Sequence, residues 1–247
     1  MGSGQLYPML VIDAGNTSVK FATVARAGAS PRLVASVATQ KLTAARLRAL
    51  CGKARAQSTI ASSVVPRVAK ILRDGCPCLV LIGRRTKLTF ATQVERRTVG
   101  ADRLANMAEA VRRFGTSVLV VDCGTAVTFD LLDQHGHFAG GAIAPGVRAL
   151  AAALAEKTAQ LPVIEAKPPK TFAGRNTREA LRAGVVGGYA GLVEHLVRQL
   201  PARHIVFTGG DAKLAATLTG TRAVIDPLWT LKGIAVLGAL NAREASK

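Results

Sequence analysis

The sequence predicts an α/β protein made of two similar halves, and three observations carry that prediction. The segment DAGNTSVKF beginning at Asp13 recurs as DCGTAVTF beginning at Asp122, each after an apolar run, Met9 to Ile12 and Val118 to Val121. Aligned with one extra residue in the first copy, Asn16, both read Asp-x-Gly and then Thr-x-Val-x-Phe. Around each copy, apolar runs of strand length alternate with stretches of helical period. The composition agrees: 49% hydrophobic but only 4% aromatic residues require a core of Ala, Val, Leu and Ile, as in helix-covered parallel or mixed sheets.

In the first half, strands are expected at Met9 to Ile12, Val19 to Val24 and Leu33 to Ala38. A helix follows from about Thr43 to Lys53, with Leu42, Leu47 and Leu50 on one face. Thr59 to Val65 reads as a strand, Pro66 stands just inside a helix reaching Arg73, and Cys78 to Ile82 is a short strand. A helix over Asp102 to Phe114, with Leu104, Ala108 and Val111 inward, leads to a domain boundary near Gly115, giving domains 1–114 and 115–247.

The second half repeats the order. Val118 to Val121, Ala126 to Leu132 and Phe138 to Ala144 are strands, His135-Gly136-His137 is a hairpin turn, and an Ala-rich helix runs from about Gly146 to Thr158. Leu161 to Arg175 is a long basic loop, and one helix covers roughly Thr177 to Gln199. His204 to Thr208 is a strand ended by Gly209-Gly210, Asp211 caps a helix to Leu218, and a last helix spans about Leu231 to Ala242.

At 247 residues the chain can bury a substantial core. No apolar run reaches the roughly 18 residues needed to span a bilayer, and the N-terminus, where MGSG carries no weight, lacks a signal-peptide layout. A soluble, cytoplasmic protein without a membrane partner is expected. Four cysteines, Cys51, Cys76, Cys78 and Cys123, are too few and irregular for a disulfide scaffold and read as reduced structural thiols. The four histidines form no helical ligand pair. The net charge of +18 attracts polyanions, yet the basic residues are spread along the whole chain with no helix-turn-helix, zinc-finger or aromatic-stacking motif. The same field favours a small anionic substrate, and composition alone does not separate the two.

The chemistry concentrates in a few segments. A strand that ends in Asp and turns on Gly into an alternating strand sets a carboxylate beside a loop whose N–H groups can face a phosphate. A single such segment is an ordinary hairpin; its duplication in matched context favours two phosphate loops. In the first, Gly15 permits close approach, Asn16 and Thr17 donate hydrogen bonds, and Asp13 can hold Mg²⁺ directly or through water. Asp122, Gly124 and Thr125 form the second, while Asp130 is read as structural. Thr208 to Ala212 and Gly140 to Gly146 each close a strand and open a helix, which is weak testimony alone. In Gly100-Ala101-Asp102-Arg103, Asp102 fits a helix cap, but an Arg directly after it opposes the helix dipole and calls for an anion. An acid beside an anion-gripping Arg suits phosphoryl transfer to a hydroxyl on an anionic acceptor.

Paired Asp-x-Gly loops plus a late strand-Gly-Gly-helix resemble the actin, sugar-kinase and Hsp70 superfamily. The set DAGNT at Asp13, GADR at Gly100, DCGTAVTFD at Asp122, GGAIAPG at Gly140, Asn176-Thr177 and TGGDA at Thr208 resembles the type III pantothenate kinases. The resemblance runs in order over nearly the whole chain. It implies two ribonuclease H-like domains with mixed sheets flanked by helices, and ATP and Mg²⁺ held by Asp13, Ala14, Gly15, Asn16, Thr17, Ser18, Val19 and Lys20, with Thr125 also on the nucleotide. By the same resemblance, Asp122 ligates a monovalent cation, K⁺ or NH₄⁺. Gly100, Ala101, Asp102 and Arg103 hold pantothenate, Asp102 accepts the proton, and Thr177 reaches the same substrate from the other subunit of a homodimer. Where the family commonly has a substrate-facing Tyr, seven residues before GADR, this chain has Gln93.

The expected activity is ATP-dependent phosphorylation of the primary hydroxyl of pantothenate to 4'-phosphopantothenate, the first step towards coenzyme A. No Walker-type loop competes with that assignment. A regulatory or nucleic-acid-binding accessory protein that keeps the fold is the alternative, to which the charge of +18 lends physical ground and against which intact Asp13, Asp102 and Asp122 argue. A related kinase acting on another small hydroxy-carboxylate is a third reading. Specific nucleic-acid recognition is not expected.

Overall fold

A computed structural model describes residues 7–76 and 79–241 of the chain. MGSG, Cys78 and Ala242 lie outside the described residues. The chain divides into two compact units. The first holds the described residues up to Gly115, together with Gly136–Phe138 and those from Leu228 onward; the second holds Thr116–His135 and Ala139–Pro227.

In unit 1, β1 (Met9–Ala14), β2 (Ser18–Val24), β3 (Arg32–Ala38), β4 (Ser58–Ser63) and β5 (Leu79–Leu81) form a five-stranded sheet of order β3-β2-β1-β4-β5. The pairings of β1 with β2 and β2 with β3 are antiparallel, and those of β1 with β4 and β4 with β5 are parallel. Period-two alternation divides β1 between two cores. Leu10, Ile12 and Ala14 join Leu47 of α1 (Ala44–Ala54) and Val68 and Leu72 of α2 (Pro66–Gly75). Met9 and Val11 join Leu104, Ala105 and Ala108 of α3 (Ala101–Phe114). Because both faces are covered, β1 reads as a continuous apolar run. Thr43 caps α1 by accepting from Arg46 N, and Pro66 opens α2 as expected.

The allotment of the last helix differs from a simple division at residues 114 and 115. It is apolar on nearly all sides, which marks an internal helix rather than an amphipathic surface one. In this unit Leu231, Ile234 and Leu237 bury against α3 and β1, and Trp229 stacks on Phe114 with ring centroids 6.2 Å apart. Trp229 Nε1 also donates to Asn106 O at 3.1 Å.

In unit 2, β7 (Val118–Cys123) pairs antiparallel with β8 (Ala126–Leu132) and parallel with β10 (His204–Thr208), which pairs with the two-residue β11 (Val224–Ile225). Next to β8 lies β9 (His137–Pro145). Its first residues, His137 and Phe138, go with unit 1, where β6 (Ala91–Thr92) pairs parallel with them. Helices α4 (Val147–Lys157), α5 (Thr177–Arg182), α6 (Gly188–Gln199) and α7 (Ala212–Thr219) complete unit 2, and α8 is Trp229–Asn241 of unit 1. The single helix expected over Thr177 to Gln199 is interrupted by a π-helical turn, Ala183–Gly187, in a glycine-rich stretch that tolerates a widened turn. No helix or strand lies between Lys157 and Thr177, as expected for the basic loop. Among the described residues, no helix is long and apolar enough to cross a membrane.

The duplicated loops

The internal repeat holds at the level of single hydrogen bonds. Gly15 N donates to Ser18 O at 3.0 Å, and Gly124 N donates to Ala126 O at 3.0 Å, the same bond at aligned positions. Beyond each turn the repeated Val and Phe are buried, Val19 and Phe21 in one unit, Val127 and Phe129 in the other. Asp13 stands opposite Lys20 in its ladder, and Asp122 stands opposite Thr128 in the other. Each carboxylate is therefore carried to a strand end by a rigid antiparallel pair.

Candidate active site

In unit 1, the loop after β1 exposes Asn16 and Thr17 and leaves Asp13, Gly15, Ser18 and Lys20 partly buried. Ala14 and Val19 have buried side chains, so only their backbone can face a ligand. Val64 joins this loop to the start of α3. Its N–H donates to Ala14 O at 3.2 Å, and its Cγ1 lies 3.6 Å from where a Cβ on Gly100 would stand.

The helix cap itself differs from the sequence reading. Gly100, not Asp102, is the N-cap residue of α3, and no side chain caps it. Asp102 sits in the first turn, where its Oδ1 accepts from Arg103 N at 2.8 Å. Burial raises the Asp102 pKa above the ordinary carboxylate value, and the Arg103 N–H and guanidinium offset that only in part. Arg103 lies over the Phe138 ring, 5.5 Å from its centroid, a cation–π contact that accommodates a charge placed against the helix dipole. Gln93 N donates to Phe138 O at 3.0 Å, so Gln93 and Arg103 meet on one residue that the sequence did not single out.

In unit 2, Gly146 N donates to Thr125 O at 2.9 Å, which ties the start of α4 to the second loop. Gly209 has φ +87, and a Cβ there would stand 2.5 Å from Asp122 Oδ1. Asp211 is the N-cap residue of α7 as the sequence predicts, but its side chain makes no capping bond. Its buried carboxylate instead accepts from Arg148 Nε at 3.0 and 3.1 Å, a better partner than a neutral amide for a charge out of water. Tyr189 is buried near Cys123, and burial followed by the neighbouring Cys123, Asp211 and Asp122 raises its pKa. Thr177 opens α5 beside Asn176, whose side chain accepts from Glu179 N at 3.0 Å. Both line an apolar groove of ≈ 910 Å³ with Leu150, Leu154, Ala180 and Gly184. Tyr189, Arg148 and Phe138 were missed because each acts through distant partners that no local spacing announces.

Among the described residues, no group of three or more His, Cys, Asp or Glu could hold a metal ion. A divalent cation in a nucleotide site needs only one or two protein carboxylates, with water and phosphate oxygens supplying the rest of the coordination. Asp13, partly buried near the end of β1, is the carboxylate next to the Gly15 turn. Cys51, Cys76 and Cys123 are free thiols.

Against known proteins, the sequence model of one family, type III pantothenate kinase, matches residues 9–199. The chain belongs to the type III pantothenate kinase family. A type III pantothenate kinase of Akkermansia muciniphila is 35% identical over 239 residues, covering 94% of this chain and 98% of that protein. Two solved structures share the architecture. A Baf family protein of Campylobacter jejuni, described as a transcriptional activator, aligns with TM-score 0.65 at 20% identity over 95% of this chain and 99% of its own. Component A of the (R)-2-hydroxyglutaryl-CoA dehydratase of Acidaminococcus fermentans aligns with TM-score 0.58 at 15% identity over 97% and 99%. At those identities they show the fold alone. The fold they share with this chain is α/β, here with two mixed sheets flanked by helices.

Proposed function

We propose that this chain transfers the γ-phosphoryl group of ATP to the primary hydroxyl of pantothenate, giving 4'-phosphopantothenate and ADP, with Asp102 as the proton acceptor. The observation that carries the reading is the position of Val64. One short segment holds the Asp13 loop by its N–H and packs against the Gly100 turn that bears Asp102. A general base is most effective when its pKa approaches the working pH, and burial moves Asp102 in that direction.

Asp102 takes the hydroxyl proton as the oxygen attacks the γ-phosphorus in line; the new O–P bond forms, the bond to the bridging oxygen breaks, and ADP leaves. Gly100, Ala101 and Arg103 hold pantothenate, with Gln93 in the place of the usual Tyr. Gly15, Asn16, Thr17 and Ser18 hold the phosphates. Mg²⁺, when bound through Asp13, supplies neutralisation of charge on the phosphate oxygens, and K⁺ or NH₄⁺ is held by Asp122. ATP use and free thiols fit a cytoplasmic enzyme.

A homodimer belongs to the same proposal, because Thr177 lines an apolar groove together with the exposed Leu154. Sedimentation or light scattering of the purified chain tests it, a monomer at micromolar concentration counting against it. The reaction is tested by ADP release with and without pantothenate in potassium buffer. ADP formation indifferent to pantothenate overturns the substrate, and none at all overturns the kinase.

A further inference from the structure

A loop that cradles phosphate must present donors and keep its own carbonyl oxygens away, because a lone pair facing an anion repels it. Four of the five carbonyls of residues 14–18 can be followed to their donors. Ala14 O accepts from Val64 N at 3.2 Å and Ser18 O accepts from Gly15 N at 3.0 Å. Of the remaining three, those of Gly15 and Thr17 go to a single residue. Thr39 Oγ1 donates to Gly15 O at 2.7 Å, and Thr39 N donates to Thr17 O at 3.0 Å.

Thr39 is buried, a polar residue whose hydroxyl and N–H are both spent on this loop. It opens a short 3-10 turn, Thr39–Lys41, that by itself has little to keep it in place. Arg67, in the first turn of α2, reaches across to that turn. Its Nη1 donates to Leu42 O at 3.1 Å and its Nη2 donates to Thr39 O. A cation at a helix N-terminus is opposed by the dipole, and here the guanidinium leaves that end to neutralise the carbonyls of the facing turn.

We infer that Thr39 and Arg67 are positioning residues for nucleotide binding. Thr39 withdraws the Gly15 and Thr17 carbonyls from the mouth of the loop, and Arg67 fixes Thr39. Neither touches the substrate. The inference rests on the Asp13 loop being the phosphate loop, as proposed above.

The test uses the full chain as Thr39→Val, Thr39→Ser and Arg67→Leu. Valine keeps the shape and removes the hydroxyl, leaving Gly15 O without its donor, so the Kd for ATP should rise roughly tenfold. Hydrogen exchange at residues 15–18 should quicken while β1 and α3 stay protected. Pantothenate affinity should hold within twofold, and Thr39→Ser should restore ATP binding. Arg67→Leu should show the same pattern more weakly, and decides the matter if Thr39→Val does not fold. ATP binding within twofold of wild type in both folded variants, or equal losses for ATP and pantothenate, overturns the inference. A wild-type chain that binds no ATP overturns the phosphate-loop reading along with it, whereas normal wild-type binding with unaffected variants sinks only the roles of Thr39 and Arg67.

Discussion

Gly100 and Asp102 share one space: a Cβ on Gly100 would fall inside the van der Waals shell of Asp102 Oδ1. The backbone at Gly100, φ −61 and ψ 144, suits any residue, so the restriction is steric and comes from the carboxylate. Gly100→Ala should therefore cost little stability, since the end of a short side chain can swing aside. Displacing a catalytic group by about an ångström costs up to roughly 10²-fold in rate. Melting curves and steady-state ADP production of the same variant check this, and normal turnover would show that the carboxylate tolerates displacement.

Asp102→Asn separates catalysis from structure. Turnover should fall by roughly 10²- to 10⁴-fold, the usual contribution of a general base, while ATP binding persists. Stability should stay level or rise. With its folded pKa above its unfolded value, Asp102 supports folding fully below about pH 3.9 and loses that support as pH climbs through the folded pKa. At neutral pH the ionised form thus opposes folding, and Asn removes the opposition. Near-normal turnover takes Asp102 out of the mechanism.

The pH profile should report the same group. The acid limb of kcat/KM for pantothenate should fall above the ordinary carboxylate range, because burial holds Asp102 protonated to higher pH. Asp102→Asn should abolish that limb. A limb unchanged in the variant assigns it elsewhere.

Gly209→Ala probes the second loop. Its positive φ disfavours any side chain, and the added methyl would press on Asp122 Oδ1 and on Cys123 O, 2.5 and 2.6 Å away. A loss of roughly 1 kcal/mol or more is expected. The K⁺ concentration for half-maximal activity should also rise, and in the wild type Na⁺ or Li⁺ should replace K⁺ poorly. Equal rates in the three salts would remove the cation from Asp122.

The charge of +18 should give only weak, sequence-independent DNA retardation that fades as salt rises from about 50 to about 200 mM. Tight binding of one sequence at physiological salt would favour the regulatory alternative.

Much of this architecture is legible in the chain because its signals are local. Asp-x-Gly after an apolar run requires a strand end and a turn, and the second copy shows where the pattern restarts. The apolar run of β1 and the Pro66 helix start are equally local. What the sequence hides is pairwise and distant. Two-residue strands such as Ala91–Thr92 are too short for any period, and the choice of Asp211 between capping α7 and accepting Arg148 depends on a partner 63 positions away. Thr39 reads as a strand-end threonine until its hydroxyl is seen on Gly15, 24 positions back. The π turn at Ala183–Gly187 leaves the helical period nearly intact, so composition shows its glycines but not the extra residue.

Because α8 completes unit 1, the order in which the ribosome delivers the chain runs against the order in which it can finish folding. When Gly115 has been added, the apolar face of α3 with Leu104, Ala105 and Ala108 still lacks Leu231, Ile234 and Leu237. At about 5–20 residues per second the missing helix follows after roughly 6 to 25 s. Unit 2 is fully synthesised by Pro227, before unit 1 has its last helix. The half made first is therefore the half finished last, and arrested chains ending near Pro227 should be cut by protease in unit 1 before unit 2.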